Sequence, residues 1–153
     1  MSVLSSSELM KAEDAGWNEL RALIDSLTQN EAERPGYYSE GWSAKDAIAH
    51  IGSWLAEAGV VLEQIHAGTF RQEEIDVDAM NERFLQMMKD VPFHDVKAHA
   101  LNSRAHMLQA WSELGELTPE ASFWIAKSGA EHYAQHVSRL REWVADLHPA
   151  GNP

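Results

Sequence analysis

The sequence predicts an all-α protein, a four-helix bundle with a long crossover between its second and third helices. Three observations predict it. Apolar residues recur at a period near 3.6 in four separate stretches, as amphipathic helices require. No run alternates apolar and polar residues as a half-buried strand would, and no repeat or low-complexity segment interrupts the chain. The connection between the second and third stretches is too long for a hairpin, which makes it a crossover.

The first helix is expected after Ser5-Ser6-Ser7, with Glu8 in its first turn where the helix dipole favours an acid. Its apolar stripe is Leu9, Gly16, Trp17, Leu20, Leu23, Ile24 and Leu27. Thr28 to Trp42 carries Asn30, Pro35, Gly36 and Gly41 and reads as a loop, with Tyr37, Tyr38 and Trp42 covering one end of the core or, alternatively, lining a pocket mouth. Ser43 is a good N-cap for the second helix, and Asp46 three residues on is a short-armed capping box. The stripe Ala47, Ile51, Trp54, Ala58, Val61, Ile65 follows, and Gly68 is placed to end it. His50 lies on the same side as the stripe, whereas His66 lies outside it.

Beyond Thr69 the pattern weakens. Arg71 to Asp78 is polar and turn-like, and then Met80, Phe84, Met87 and Met88 suggest a short helix capped by Asp76 or Asp78, its methionines filling core space. A third helix follows Val91-Pro92, with Pro92 suited to a first helical position. Phe93, Val96, Ala100, Met107, Trp111 and Leu114 make its inner face, ending at Gly115. Arg104 falls on that face, where a charge needs a partner. His94, His99 and His106 lie off it and read as surface residues. Thr118-Pro119-Glu120 opens the last stretch. The sequence leaves open whether this stretch runs unbroken or restarts at Ser128-Gly129-Ala130-Glu131, itself a capping-box pattern. His148 to Pro153 reads as a frayed tail.

At 153 residues the chain reads as one domain, 1–153, large enough for a core without staples. It has no cysteine, which excludes disulfides, zinc–cysteine sites and a protein thiol nucleophile. The start has neither a basic n-region nor a long apolar run, and no run approaches the ~18 apolar residues of a membrane span. A cytoplasmic protein without membrane contact is expected. A net charge of −12 repels phosphate backbones, so no nucleic-acid partner is expected. Six tryptophans exceed what one small bundle core usually encloses, and they favour a homodimer, the commonest soluble oligomer.

The chemistry concentrates in Glu131-His132-Tyr133-Ala134-Gln135-His136. Two histidines four apart on a helix stack on one face, and an imidazole pair presents two nitrogens to one point. His136 lies within a side-chain width of Leu140, so this face is the inner one, with His132 on its flank. His50, His132 and His136 are the only histidines whose helical phase points inward. Bundle ligands are assembled from inward residues of facing helices, and three imidazoles with an open position make a catalytic-type metal site. The plainer alternative is three core histidines, each hydrogen-bonded to a neighbour.

Three segments carry a resemblance: Gly41-Trp42-Ser43-Ala44-Lys45-Asp46-Ala47-Ile48-Ala49-His50-Ile51, Asp78 to Phe84, and His132-Tyr133-Ala134-Gln135-His136. The chain resembles the DinB-like superfamily of four-helix bundles (DinB/YfiT-like). Within it, the chain is similar to the N-terminal domain of mycothiol-dependent maleylpyruvate isomerase and to DfsB/ClbS-type proteins. The resemblance implies a divalent-metal site on His50, His132 and His136. In the isomerase branch the position matching His132 is commonly glutamate, so the all-histidine set is nearer the broader pattern.

A metalloenzyme is therefore expected, by resemblance a transferase or isomerase acting through a low-molecular-weight thiol. Without cysteine of its own, the protein would take that thiol as a cosubstrate. Zinc is the first choice of metal, with nickel or iron also suited to imidazole. The same site could activate water as a hydrolase. A non-catalytic module that binds a small reactive molecule for self-protection is the other class. Trp42, Trp54, Tyr133 and Arg104 are expected to line the approach, with Arg104 either anchoring a substrate carboxylate or held in a buried salt bridge.

Overall fold

The computed structural model describes residues 5–149; the expectations for 1–4 and for Ala150 to Pro153 lie outside the described residues. The helices are α1 (Ser6–Asp25), α2 (Gln29–Glu33), α3 (Ala44–Ala67), α4 (Val77–Met88), α5 (Phe93–Glu113), α6 (Pro119–Ser128) and α7 (Ala130–Leu147). The four expected stretches are α1, α3, α5 and the broken α6–α7, and the two short helices α2 and α4 punctuate the connections. No helix is long and apolar enough to cross a membrane among the described residues.

Local chemistry sets most boundaries. Ser5 and Glu8 close a full capping box on α1, and Ser43 and Asp46 do the same for α3. Gly68 ends α3 at φ +75°, a left-handed position that other residues adopt at a cost. Within the expected loop, Thr28 and Glu31 form a third capping box, which adds α2. Asp76, the first of the two candidates, caps α4. Pro92 is the N-cap of α5 rather than its first helical residue, and it offers no side-chain cap. Glu33 of α2 supplies one instead, accepting from the Phe93 amide at 3.0 Å. The last stretch does restart, at Gly129, but without the Ser128–Glu131 box. A Cβ on Gly129 would fall 2.7 Å from the Ile125 carbonyl oxygen, so close backbone approach requires glycine there.

Cross-helix contacts define the topology. Gly52 meets Ala100, and Gly59 meets His106, so α3 and α5 run parallel. The 69–92 connection is thus a crossover that carries α4. Buried Lys45 ties its far end to α3 by donating to the carbonyls of Lys89 and Val91, at 2.7 and 2.8 Å. Glu13 meets Tyr133 and Glu19 meets Arg141, so α1 and α7 are also parallel. Arg104 to Glu13 and Lys97 to Asp25 set α5 antiparallel to α1. The bundle is two parallel pairs packed head to tail.

The core stripes of α1, α3 and α5 are buried as their spacing implies, with Leu9, Trp17, Leu20 and Ile24 of α1 facing Ile51, Leu55, Val96 and Met107. At roughly 25 cal/mol per Å², apolar burial of this kind supplies the main driving force of folding. Two expectations fail. Met87 is 67% exposed, whereas Phe84 is buried as its place in the stripe implies and Met88 packs against the core. None of the six tryptophans is exposed: Trp17, Trp111, Trp124 and Trp143 are buried, and Trp42 and Trp54 half-buried. The tryptophan surplus is housed within one chain and gives no ground for a second. His148, expected to fray, closes α7 and pairs with Glu31 at 2.7 Å.

Candidate metal centre

His50 sits in the second turn of α3, and His132 and His136 in the first two turns of α7. The break at Gly129 redirects the chain, so the face of α7 that carries both histidines meets α3. Their Nε2 atoms converge: His132 Nε2 is 2.9 Å from that of His50 and 3.1 Å from that of His136. The rings pack edge to face, with centroids 4.7, 5.2 and 4.8 Å apart. Trp42 closes one side, edge-on against His50 at 5.5 Å.

Burial keeps the three rings neutral. It pushes His50 down to about 4, aided by the neighbouring His136, and His132 down to about 3, aided by His136 and His50. His136 is lowered by burial as well. A neutral imidazole is the form that binds a metal. A tetrahedral ion with bonds of ~2.0–2.1 Å spreads its ligand nitrogens to roughly 3.3–3.4 Å. The donor nitrogens all lie within 4.8 Å of one another, and the two spacings at His132 fall a few tenths of an ångström short of that tetrahedral separation.

No acceptor among the described residues holds the far side of the three rings. The Nδ1 atoms of His50, His132 and His136 are all buried with no hydrogen-bond partner. Hydrogen bonding alone does not satisfy the cluster either. With three Nε2 atoms facing each other, at least one ring must place its N–H on a buried Nδ1 that no acceptor meets. An ion on the three Nε2 atoms would place an N–H on every Nδ1, so donor counting by itself does not decide between a metal site and three core histidines.

The triad opens at His50 and His132 onto a cleft of about 480 Å³. Trp54 and Trp124 form its floor, 6.4 Å apart and tilted by 37°. Trp54 is fixed by donating from Nε1 to Asn81 of α4 at 2.8 Å. Gln72, Glu73, Ile75 and Val77 of the crossover roof it, and Lys127, Ser128 and Gln135 reach it from the α6–α7 side.

Of the four residues expected along the approach, Trp54 lines the cleft and Trp42 backs His50. Tyr133 and Arg104 do neither. Tyr133 is buried on the α1 side of α7, donating to Glu13 Oε2 at 2.7 Å and packing on Trp17. Arg104 grips Glu13 with Nε at 2.8 Å and Nη2 at 2.6 Å, and reaches Asp14 at 2.8 Å. The physical reason is Glu13, a buried carboxylate of α1 that needs these donors. Sequence spacing passed over Glu13 although it stands four residues from both Leu9 and Trp17, on their face. Trp124 and Ser128 line the cleft beside His132 across the break at Gly129, a neighbourhood that helical spacing does not reach.

A family model described as the mycothiol maleylpyruvate isomerase N-terminal domain matches residues 14–148. No curated protein matches the sequence. An uncharacterised protein from Escherichia coli UTI89 shares the fold at TM-score 0.80 and 12% identity, over 94% of each chain. The colibactin self-resistance protein ClbS, solved in complex with a double-stranded DNA, shares it at TM-score 0.79 and 17% identity, over 93% of this chain and 97% of its own. That complex corrects the exclusion of nucleic acid drawn from net charge. A duplex meets one face of a bundle, and charge summed over a whole chain does not describe that face. With the family match spanning most of its length, the chain belongs to the mycothiol maleylpyruvate isomerase N-terminal domain family of DinB-like helical bundles.

Proposed function

We propose that His50, His132 and His136 hold one divalent metal ion, zinc by first preference, and that the site acts on a small molecule delivered through the adjoining cleft. The observation that carries this reading is three neutral Nε2 atoms converging at the end of a cleft. Bound there, the ion supplies a Lewis-acid charge that favours the deprotonated form of a thiol or a water. The residues do the rest. The histidines come from two helices and leave the cleft side free of a fourth protein donor among the described residues. Trp42 and the α3–α7 packing shield the opposite side from water, and Trp54, held by Asn81, fixes one wall of the approach.

A thiol-dependent transferase or isomerase is the reading the family favours. Since the chain has no cysteine, the thiol would arrive as a cosubstrate. Elemental analysis of purified protein should give about one divalent ion per chain, lost in His136→Ala. Full metal retention by His50→Ala, His132→Ala and His136→Ala alike overturns the assignment. Turnover of metal-loaded protein with electrophiles should require an added thiol; thiol-independent hydrolysis would identify a hydrolase instead.

A further inference from the structure

The cleft beside the triad does not end at the triad's own dimensions. It shares Gln72, Glu73, Ile75, Phe123 and Trp124 with a second depression of about 430 Å³, so the two form one trough. Three of the exposed large apolar side chains stand at its mouth: Ile75 at 39%, Val77 at 50% and Phe123 at 56%. They belong to two separate elements, the crossover and α6, and converge on one opening. Apolar side chains clustered at the mouth of an aromatic-floored trough mark a binding surface rather than stray exposure.

The charges are distributed with equal consistency. Glu73 faces both parts of the trough, and Glu57 and Glu120 face the outer part. Lys127 lines the inner part, but its ammonium is already paired with Glu131 at 3.1 Å. Arg71 lies only in the outer part, and Arg104 is sequestered on the far side of α7. Apart from the proposed ion itself, no unpaired cationic side chain therefore stands near the triad end among the described residues, and a small polyanionic substrate finds no side-chain anchor there.

We infer that the trough binds an uncharged or cationic amphiphile, its flat apolar body lying along Trp54, Trp124 and Phe123 and its polar end directed at the histidines. This deepens the proposed function by naming the ligand class of the same site. Contact with the aromatic floor gives affinity, and the acidic rim sets the charge preference.

The test uses the whole chain, stripped of metal with EDTA, and two fluorescent probes that share one ring system. N-phenyl-1-naphthylamine is uncharged, and 1-anilinonaphthalene-8-sulfonate differs from it by one negative charge. The uncharged probe should bind saturably and roughly tenfold more tightly than the sulfonate. Phe123→Ser, at an exposed position that leaves melting unchanged, should weaken it roughly fivefold. Glu73→Lys should narrow the preference between the probes. Equal or tighter sulfonate binding overturns the inference, as does indifference to Phe123→Ser. So does a doubled scattering mass that Phe123→Ser returns to one chain, since a second copy would then cover the mouth. Zinc titration of the same sample separates the two readings. Probe binding without zinc binding sustains the ligand class and removes the metal; zinc binding without probe binding does the reverse.

Discussion

Replacing Arg104 by methionine separates the two roles a cation on the inner face of α5 can have. Its guanidinium holds Glu13, which is 1% exposed, through Nε at 2.8 Å and Nη2 at 2.6 Å. Methionine retains much of the stem, which otherwise rests against Trp17 with the guanidinium 5.0 Å from the ring. Glu13 keeps only the Tyr133 hydroxyl, at 2.7 Å, and becomes a buried charge without a counter-charge. Breaking such a pair costs about 3–5 kcal/mol. For a chain of this length that lowers the melting temperature by roughly 6–20 °C. Glu13→Gln alone should cost less, since a neutral amide tolerates burial and Arg104 keeps Asp14. The double variant Glu13→Gln, Arg104→Met should recover part of the loss of the Arg104 variant, a coupling that thermal or urea melts of all four proteins measure. Metal content of the folded Arg104→Met protein should stay at the wild-type level. A melting temperature within about 2 °C of wild type, or loss of ligand binding without loss of stability, would refute the structural role.

Two further outcomes follow from the packing and from the triad. Gly52→Ala should destabilise by roughly 1–3 kcal/mol, because its Cβ would fall 3.0 Å from the Ala100 backbone, which cannot move aside. Gly59→Ala meets only the exposed His106 ring, which can swing away, so its melt should change less. Metal-free protein should lose stability as pH falls from about 6.5 towards 4. Above that range the triad is neutral in both folded and unfolded chains. Within it the unfolded chain takes up protons that His50, held at about 4, and His132, at about 3, refuse in the fold. Melting temperatures in EDTA should show this slope in wild type and a shallower one in His132→Gln; equal slopes would count against it.

The bundle was legible because its long helices carry both strong periodicity and explicit caps. Ser43, Asp46 and Gly68 set the ends of α3 from local chemistry alone. The convergence of His50 with His132 and His136 followed from helical phase, which fixes direction without knowledge of the neighbours. Three things were not legible. The outward turn of Met87 depends on where α4 lands, which no local pattern encodes. The roof of the cleft comes from residues 71–77, whose polar, turn-like sequence gives no sign that they cover anything. The direction of Tyr133, and the partner in the salt bridge offered for Arg104, were decided by Glu13, an acid whose burial makes sense only once its two donors are in place.

The parallel pairing of α1 with α7 has a consequence for the order of folding during synthesis. The end of α1 and the start of α7 are separated by roughly a hundred residues, Asp25 to Ala130. At ribosomal rates that is an interval of about 5–20 s. Throughout it the Leu9, Trp17, Leu20 stripe and the carboxylate of Glu13 have no α7 to pack against, whereas α3, α4 and α5 are contiguous and can dock on one another. The nascent chain is thus an unequal intermediate, a central parallel unit whose first helix lacks its main packing partner. His132 and His136 are synthesised after nearly everything else, so an ion held by all three histidines is captured only as the last helix closes the bundle. Metal uptake by ribosome-bound chains of increasing length would then report the moment at which folding finishes.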